Sequence, residues 1–181
     1  MNLSRRALLG TSVLGLPLAL AGCGMITTTT TGGVTTVSVN LVALNDYVQA
    51  AQNGAAILLV SPLIAAALGP VKVALIEATI ANAAAQIAAL TKSSNGVATL
   101  TFTASSAPAA ISAIQSDAAT ILAAGSVMFG SFKSTLGTQI QQTVDAFATV
   151  IDLMKAAGAS TVAAPKLPMA PSAALSLLGA G

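Results

Sequence analysis

The sequence predicts a mainly α-helical domain, a four-helix bundle with a short two-stranded antiparallel ribbon, in the order β-α-α-β-α-α. Three observations lead to this prediction. Two segments alternate between apolar and hydroxyl residues, four longer stretches repeat apolar residues at three- and four-residue steps, and Gly, Pro and Ser separate them. Helices that each carry one apolar stripe bury those stripes most simply in a bundle.

Both predicted strands follow a glycine. Residues 34–39 alternate after Gly33, and residues 97–103 alternate after Gly96. A period of two with β-branched residues is typical of a half-buried strand. Because an isolated ribbon is only marginally stable in water, we expect the two strands to pair and to lie on the helices.

Helix signals follow each strand. Asn40 is the expected N-cap of a helix that continues to about residue 67, and Pro70 suits the first turn of the next helix, which ends before Ser93. In the second half, Ser106 is the expected cap of a third helix. A fourth is expected from about Lys133 to Ala157, with Gly158 as its C-cap.

The chain contains one pattern twice. Residues 33–39 match residues 96–102 at an offset of 63, and at the same offset Gln52 matches Gln115. Alanine-rich sequence produces chance matches easily, so the strands and the glutamines carry the comparison. We expect an internal duplication with repeats at residues 33–92 and 96–158.

The N-terminal residues are organised as an export signal. Arg5 and Arg6 precede an uncharged run from Ala7 to Leu20, which is short for a membrane-spanning helix. Ser4, the two arginines and the apolar residues after them resemble the twin-arginine export signal. Leu8 replaces the common Phe and no Lys follows, so an ordinary Sec signal is the alternative.

A short motif ends this segment. Leu20, Ala21 and Gly22 precede Cys23, the only cysteine of the chain. These four residues resemble the lipobox of bacterial lipoproteins, in which the cysteine thiol receives a diacylglycerol and the peptide bond before it is cut. The resemblance covers residues 1–24 and implies lipidation of Cys23, with palmitate-like acyl chains. The alternative is a small buried thiol, as lone cysteines often are.

The resemblance also divides the chain. It implies a signal peptide at residues 1–22 and a lipidated tether at 23–33, followed by a helical domain at 34–160 and a Pro-containing tail at 161–181. The tail is expected to be disordered or docked. We expect a location in the cell envelope. Because Gly24 rather than Asp follows the cysteine, a diderm host implies the periplasmic face of the outer membrane.

Composition excludes several functions. Of seven Lys and Arg residues, Arg5 and Arg6 leave with the signal, so five lysines face five acids and the net charge is near zero. No basic patch remains for nucleic acid. Histidine is absent and Cys23 takes the lipid, so we predict no catalytic residue, no metal and no cofactor. Asp145 and Asp152, near Lys155, are interpreted as a solvated stripe.

These observations predict a non-catalytic envelope lipoprotein, a membrane-tethered structural or interaction domain whose partner is an unknown envelope protein. One alternative is a membrane-active helical protein, holin-like or associated with phage lysis or exclusion, because residues 47–71 carry no charge and a hairpin at 54–91 is strongly apolar. Pro62, Gly69 and Pro70 interrupt that stretch, which favours a core helix. A second alternative is a carrier of a small apolar ligand.

Overall fold

The computed structural model describes residues 18–19, 25–157 and 166–180. Within these ranges the chain is mainly helical and carries a small antiparallel sheet, so the predicted fold class is confirmed at this level. The helices form the body of the domain. The sheet lies at one end, where each half of the chain enters its helices.

The sheet has three main strands and a two-residue extension. β1 (Leu18–Ala19) pairs with β2 (Ile26–Thr31), β2 pairs with β3 (Val34–Asn40), and β3 pairs with β4 (Thr99–Thr103), all antiparallel. β3 and β4 are the two strands expected from the sequence. The sheet is therefore larger than the predicted ribbon, because β2 adds to the free edge of β3 and β1 adds to the far edge of β2.

The structure corrects the predicted tether at residues 23–33. Residues 26–31 form β2, and its backbone is paired with β3 along its whole length. Five consecutive threonines hide the period of two, so composition alone resembles a polar linker. Gly32 and Gly33 adopt φ values of 58° and 80°, the left-handed conformation that a two-residue hairpin turn requires.

The two faces of the sheet differ in chemistry. The inner face contributes apolar side chains to the core, and the outer face consists almost wholly of hydroxyl side chains that face water. Ser38 and Thr101 lie opposite each other on that outer face, and their hydroxyl groups are 3.0 Å apart. The buried inner residues are Ile26, Val37, Val39 and Phe102.

The first half contains three helices, α1 (Leu41–Leu58), α2 (Pro62–Leu68) and α3 (Pro70–Ser93). Asn40 caps α1 as expected, since its Oδ1 accepts hydrogen bonds from two backbone N–H groups at 3.0 and 3.1 Å. The helix expected to reach residue 67 is instead broken, and α2 turns by 100° from α1. Pro62 explains the break, because it has no N–H to donate to the turn before it.

The second half contains α4 (Ala109–Ala124), the short α5 (Ser126–Phe129) and α6 (Thr138–Ala156). Ser106 is not the cap of α4. It lies in a 3-10 turn at Ala104–Ser106, and its hydroxyl group is 2.6 Å from that of Thr103. Lys133 lies in a second 3-10 turn at Ser131–Thr135, so α6 begins later than predicted. Gly158 lies outside the described residues.

The long helices pack in a cycle in which α1 and α4 each contact both α3 and α6. At Gly54 an added Cβ would lie 2.7 Å from Cδ2 of Phe147, so glycine allows α1 and α6 to approach closely. The tail also contains a helix, α7 (Pro171–Leu177), which packs on α6 and α1. This part of the tail is therefore docked, the second of the two outcomes considered from the sequence.

Candidate functional site

The predicted site residues lie outside the described residues. These are Cys23 for lipidation and Arg5, Arg6, Leu20, Ala21 and Gly22 for signal recognition. The described part of the chain resumes at Met25, two residues after the cysteine. The lipobox therefore stays a prediction from sequence, and the structure shows how the residues C-terminal to it are held.

The chain is fixed to the domain immediately after the predicted anchor. Met25 is completely buried, and its carbonyl oxygen accepts a hydrogen bond of 2.7 Å from the N–H of Asn40. On the other side of the same junction, Leu41 donates to the carbonyl of Ala98 at 2.8 Å. Few residues separate Cys23 from packed structure, so a lipid on that thiol would hold the sheet end of the domain near the membrane.

An open groove lies beside this junction, with a volume of about 530 Å³ between the start of α1, the end of α3 and the segment before β4. Val42 and Val97 line it and are 59% and 55% exposed. Lys92, Asn45 and Thr91 supply its polar groups. The groove is apolar and open to solvent, with one cationic side chain.

The exposed side of α3 carries apolar side chains along its length. Val71 and Leu75 are 80% and 44% exposed, and in the neighbouring turn Val60 and Leu63 are 76% and 60% exposed. Val42 and Val97 continue this surface at the sheet end. We call this set the α3 surface, with its members Val42, Val60, Leu63, Val71, Ala74, Leu75, Ala78, Ala81, Ala85, Ala88, Ala89 and Val97.

By length and composition, one described helix is able to cross a membrane. That helix is α3, of which 33% of the apolar window is buried. The bent pair of α1 and α2 passes the same test when the two are counted together. Core helices of soluble proteins also pass it, so the test does not by itself identify a span.

The acidic residues do not gather into a catalytic arrangement in the described part of the chain. Asp145 accepts a hydrogen bond from Nζ of Lys133 at 2.6 Å. Its cationic partner therefore lies in the second 3-10 turn, and not one helix face further along at Lys155. Burial raises the pKa of Asp152 above its ordinary value of 3.8, and the charge of Lys155 offsets this only in part.

Asp117 is the second carboxyl with a shifted pKa. Burial raises its pKa, and the hydrogen bond of 2.7 Å from Nδ2 of Asn82 acts in the opposite direction. This bond joins α3 to α4. Among the described residues, no group of three His, Cys, Asp or Glu side chains is placed to hold a metal ion.

Three aromatic residues, Tyr47, Phe102 and Phe147, are buried in the core, and none of them lines the groove beside Lys92. Tyr47 and Phe147 are 2% and 1% exposed, and Phe129 stacks on Phe147 with ring centroids 6.1 Å apart. The sequence analysis does not predict the α3 surface, because periodicity alone does not tell which face of an apolar helix remains uncovered. The charge-free run at residues 47–71 contains three of its members, Val60, Leu63 and Val71.

In comparisons with known proteins, no family model, no curated protein and no solved structure matches this chain.

Proposed function

We propose that this chain is a non-catalytic envelope lipoprotein whose small domain acts at a membrane as a structural or interaction module. The lipobox at residues 20–23 carries the proposal, because it follows an apolar segment with a basic start. The burial of Met25 supports it, since a packed residue stands two positions after the predicted lipidation site. Processing at that site would remove β1 (Leu18–Ala19) and leave the strands β2, β3 and β4. Lipid anchoring raises the local concentration of the domain for an envelope partner.

The absence of histidine and of a second cysteine supports a non-catalytic role. The described acids add to this, since Asp145 is engaged with Lys133 and Asp117 with Asn82. Neither pairing leaves a base beside a hydroxyl nucleophile. The domain is therefore proposed to act by binding and position, without a cofactor and without nucleic acid.

We also infer that the helix cycle is a four-helix bundle made from a duplicated β-α-α unit. Ser38 and Thr101, related by the offset of 63, lie opposite each other in the sheet. At the same offset of 63 residues, α1 corresponds to α4 and α3 corresponds to α6. The contact between α1 and α3 therefore corresponds to the contact between α4 and α6. Corresponding contacts of this kind are expected when two similar units pack around a twofold axis.

Metabolic labelling with a palmitate analogue tests the anchor. We expect the wild-type chain to carry the label in the membrane fraction and Cys23→Ser to lose both the label and the membrane retention. Gly24→Ala is the matched control, since it changes the adjacent residue and keeps the thiol. An unlabelled wild-type chain that is nevertheless exported would contradict the proposal. In a diderm host, labelled protein in the outer-membrane fraction is the expected location.

The membrane-active alternative is favoured by one specific observation, the exposed apolar side chains around α2 and the start of α3. It predicts dye leakage from liposomes at a low protein-to-lipid ratio. The carrier alternative is favoured by the groove beside Lys92. It predicts that a lipid or other apolar compound co-purifies with the domain and is lost when Val97→Asp places a charge in the groove.

A further inference from the structure

We propose that the α3 surface lies flat on the membrane that holds the anchor, with α3 in the plane of an anionic phospholipid headgroup layer. The inference deepens the proposed function. It rests on that proposal, because the lipid anchor decides which membrane the α3 surface meets. It differs from the membrane-active alternative, because α3 remains packed in the domain and does not cross the bilayer.

The first argument is the position of α3 in the fold. A core helix that passes the membrane-span test is mostly buried, but only 33% of the apolar window of α3 is buried. Its buried residues, among them Ile76, Ile80 and Ile87, face α1 and α4. The opposite face carries Val71 and Leu75 and a row of alanines to solvent. In an interfacial helix, too, one apolar face is the part that meets the bilayer.

The second argument is the chemistry of the exposed residues. Protein interfaces usually centre on Trp, Tyr or Arg, and the α3 surface has none of them. Val60 and Val71 expose about four-fifths of their side chains, so they project from the surface and do not line a groove. Projecting aliphatic groups match the boundary between headgroups and acyl chains, and the exposed Glu77 and Asn82 beside them would lie among the headgroups.

The third argument is that several backbone donors around the break between α1 and α2 are hydrogen-bonded to the adjoining helices. The N–H groups of Leu59, Ser61 and Gly69 donate to the carbonyls of Ala55, Leu58 and Ala65 at 2.8, 3.1 and 2.9 Å. Pro62 and Pro70 have no N–H group to satisfy. The turn is therefore able to approach the acyl chains without carrying these polar donors out of water unpaired.

The fourth argument is charge. Lys72 and Lys92 stand near the two ends of α3, and Glu77 is its one acid, so the helix carries a net positive charge. Twenty residues of helix separate the lysines by about 30 Å. Lys92 is exposed at the sheet end of the α3 surface, where a long lysine side chain reaches the phosphate layer while its stem stays on the apolar surface. Lys72 is half-buried on the side of the helix that carries Leu90, so it contributes less.

The location of the anchor fits this orientation. Val42 and Val97 continue the α3 surface to the junction where Met25 is bound, two residues from Cys23. An extended link of three residues, from Cys23 to Ile26, spans at most about 10 Å. A domain held so closely at its sheet end brings the whole length of α3 to the same bilayer when it lies on its side.

The chain has no tryptophan, so single introduced tryptophans report their surroundings without background. The experiment uses the processed, lipidated protein reconstituted in phosphatidylcholine vesicles with or without phosphatidylglycerol. Ala81→Trp, at the exposed middle of α3, is expected to show blue-shifted emission and quenching by lipids brominated near the headgroup. Gln142→Trp, on the exposed side of α6, is the matched control and is expected to stay in water.

Two further variants test the contacts. Leu63→Gln combined with Val71→Gln is expected to abolish the quenching of the tryptophan at position 81 without changing the unfolding midpoint. Val34→Gln, at an exposed valine of the β2–β3 hairpin, is the control and should have no effect. Lys92→Gln should lower the preference for anionic vesicles about fivefold. Lys72→Gln should lower it less, because Lys72 is half-buried on the other side of the helix.

The failures are distinguishable. Loss of the protein from vesicles in flotation overturns the proposed anchor. Retention with a water-exposed tryptophan at position 81 overturns the α3 orientation and leaves the anchor standing. Stronger quenching from bromines at the bilayer centre identifies a spanning helix and also overturns the proposal. A concentration-dependent blue shift without lipid quenching identifies a second copy of the chain as the partner and overturns it as well.

Discussion

The helices α3 and α6 hold corresponding positions in the two halves of the chain, yet they are buried very differently. α6 has ten buried residues among 19, whereas the more apolar α3 has six among 24. The difference lies in their neighbours: α7 packs on α6, and no described element covers the outer face of α3. In these two helices, the number of buried residues follows whether another segment packs on the outer face of the helix. It does not follow the hydropathy of the helix.

The largest expected effect comes from removing the main side chain of the covered helix. Phe147→Ala should lower the free energy of unfolding by about 3–5 kcal/mol, because the ring is 1% exposed and packs on Phe129 and Gly54. Urea unfolding measures this change. Leu75→Ala, on the uncovered side of α3, is the control and should change stability little. Equal losses at both positions would contradict the contrast between the two helices.

A smaller effect is expected at the covering segment itself. Nδ2 of Asn53 donates a hydrogen bond of 2.8 Å to the carbonyl of Leu178, which ties α7 to α1. Asn53→Ala should weaken the docking of α7 by about 1 kcal/mol. Faster hydrogen exchange at residues 171–177 measures it, with the exposed neighbour Gln52→Ala as control. Unchanged protection of α7 would show that apolar packing alone holds it.

The smallest effect concerns pH. The pKa of Asp152 is raised by burial, so protonation favours the folded state. The contribution of this carboxyl to the free energy of unfolding is fully present below the pKa that it has in the unfolded chain. The contribution is lost as the pH rises through the higher pKa of the folded state. Asp152→Asn should therefore slightly raise the melting temperature at pH 7, with a smaller gain at pH 4.

Gln142→Ala, an exposed uncharged position on α6, is the control for this pH comparison. It should leave the difference in melting temperature between the two pH values nearly unchanged. If Asp152→Asn instead lowers the melting temperature at pH 7, the attraction between Asp152 and Lys155 outweighs the cost of burial, and the predicted direction of the effect is wrong.

Local signals predicted much of the fold. The predicted cap at Asn40 and the predicted start of α3 at Pro70 are confirmed, because each depends on a few neighbouring residues. The break at Pro62 was underestimated, and β2 was missed because a run of threonine shows no alternation. The anchor at Cys23 stays a prediction from sequence, since its residues lie outside the described ranges.

The sequence by itself determined the helical class, the pairing partners of the two alternating strands and the poverty of catalytic groups, because periodicity and composition are local properties. Only the tertiary structure decided that the threonine run is a strand, that α7 covers α6, and that α3 keeps an open apolar face. These depend on contacts between distant segments, such as Asn53 with Leu178, whose partners cannot be identified from hydropathy. The surface proposed to meet the membrane is therefore the face of α3 that no described helix covers.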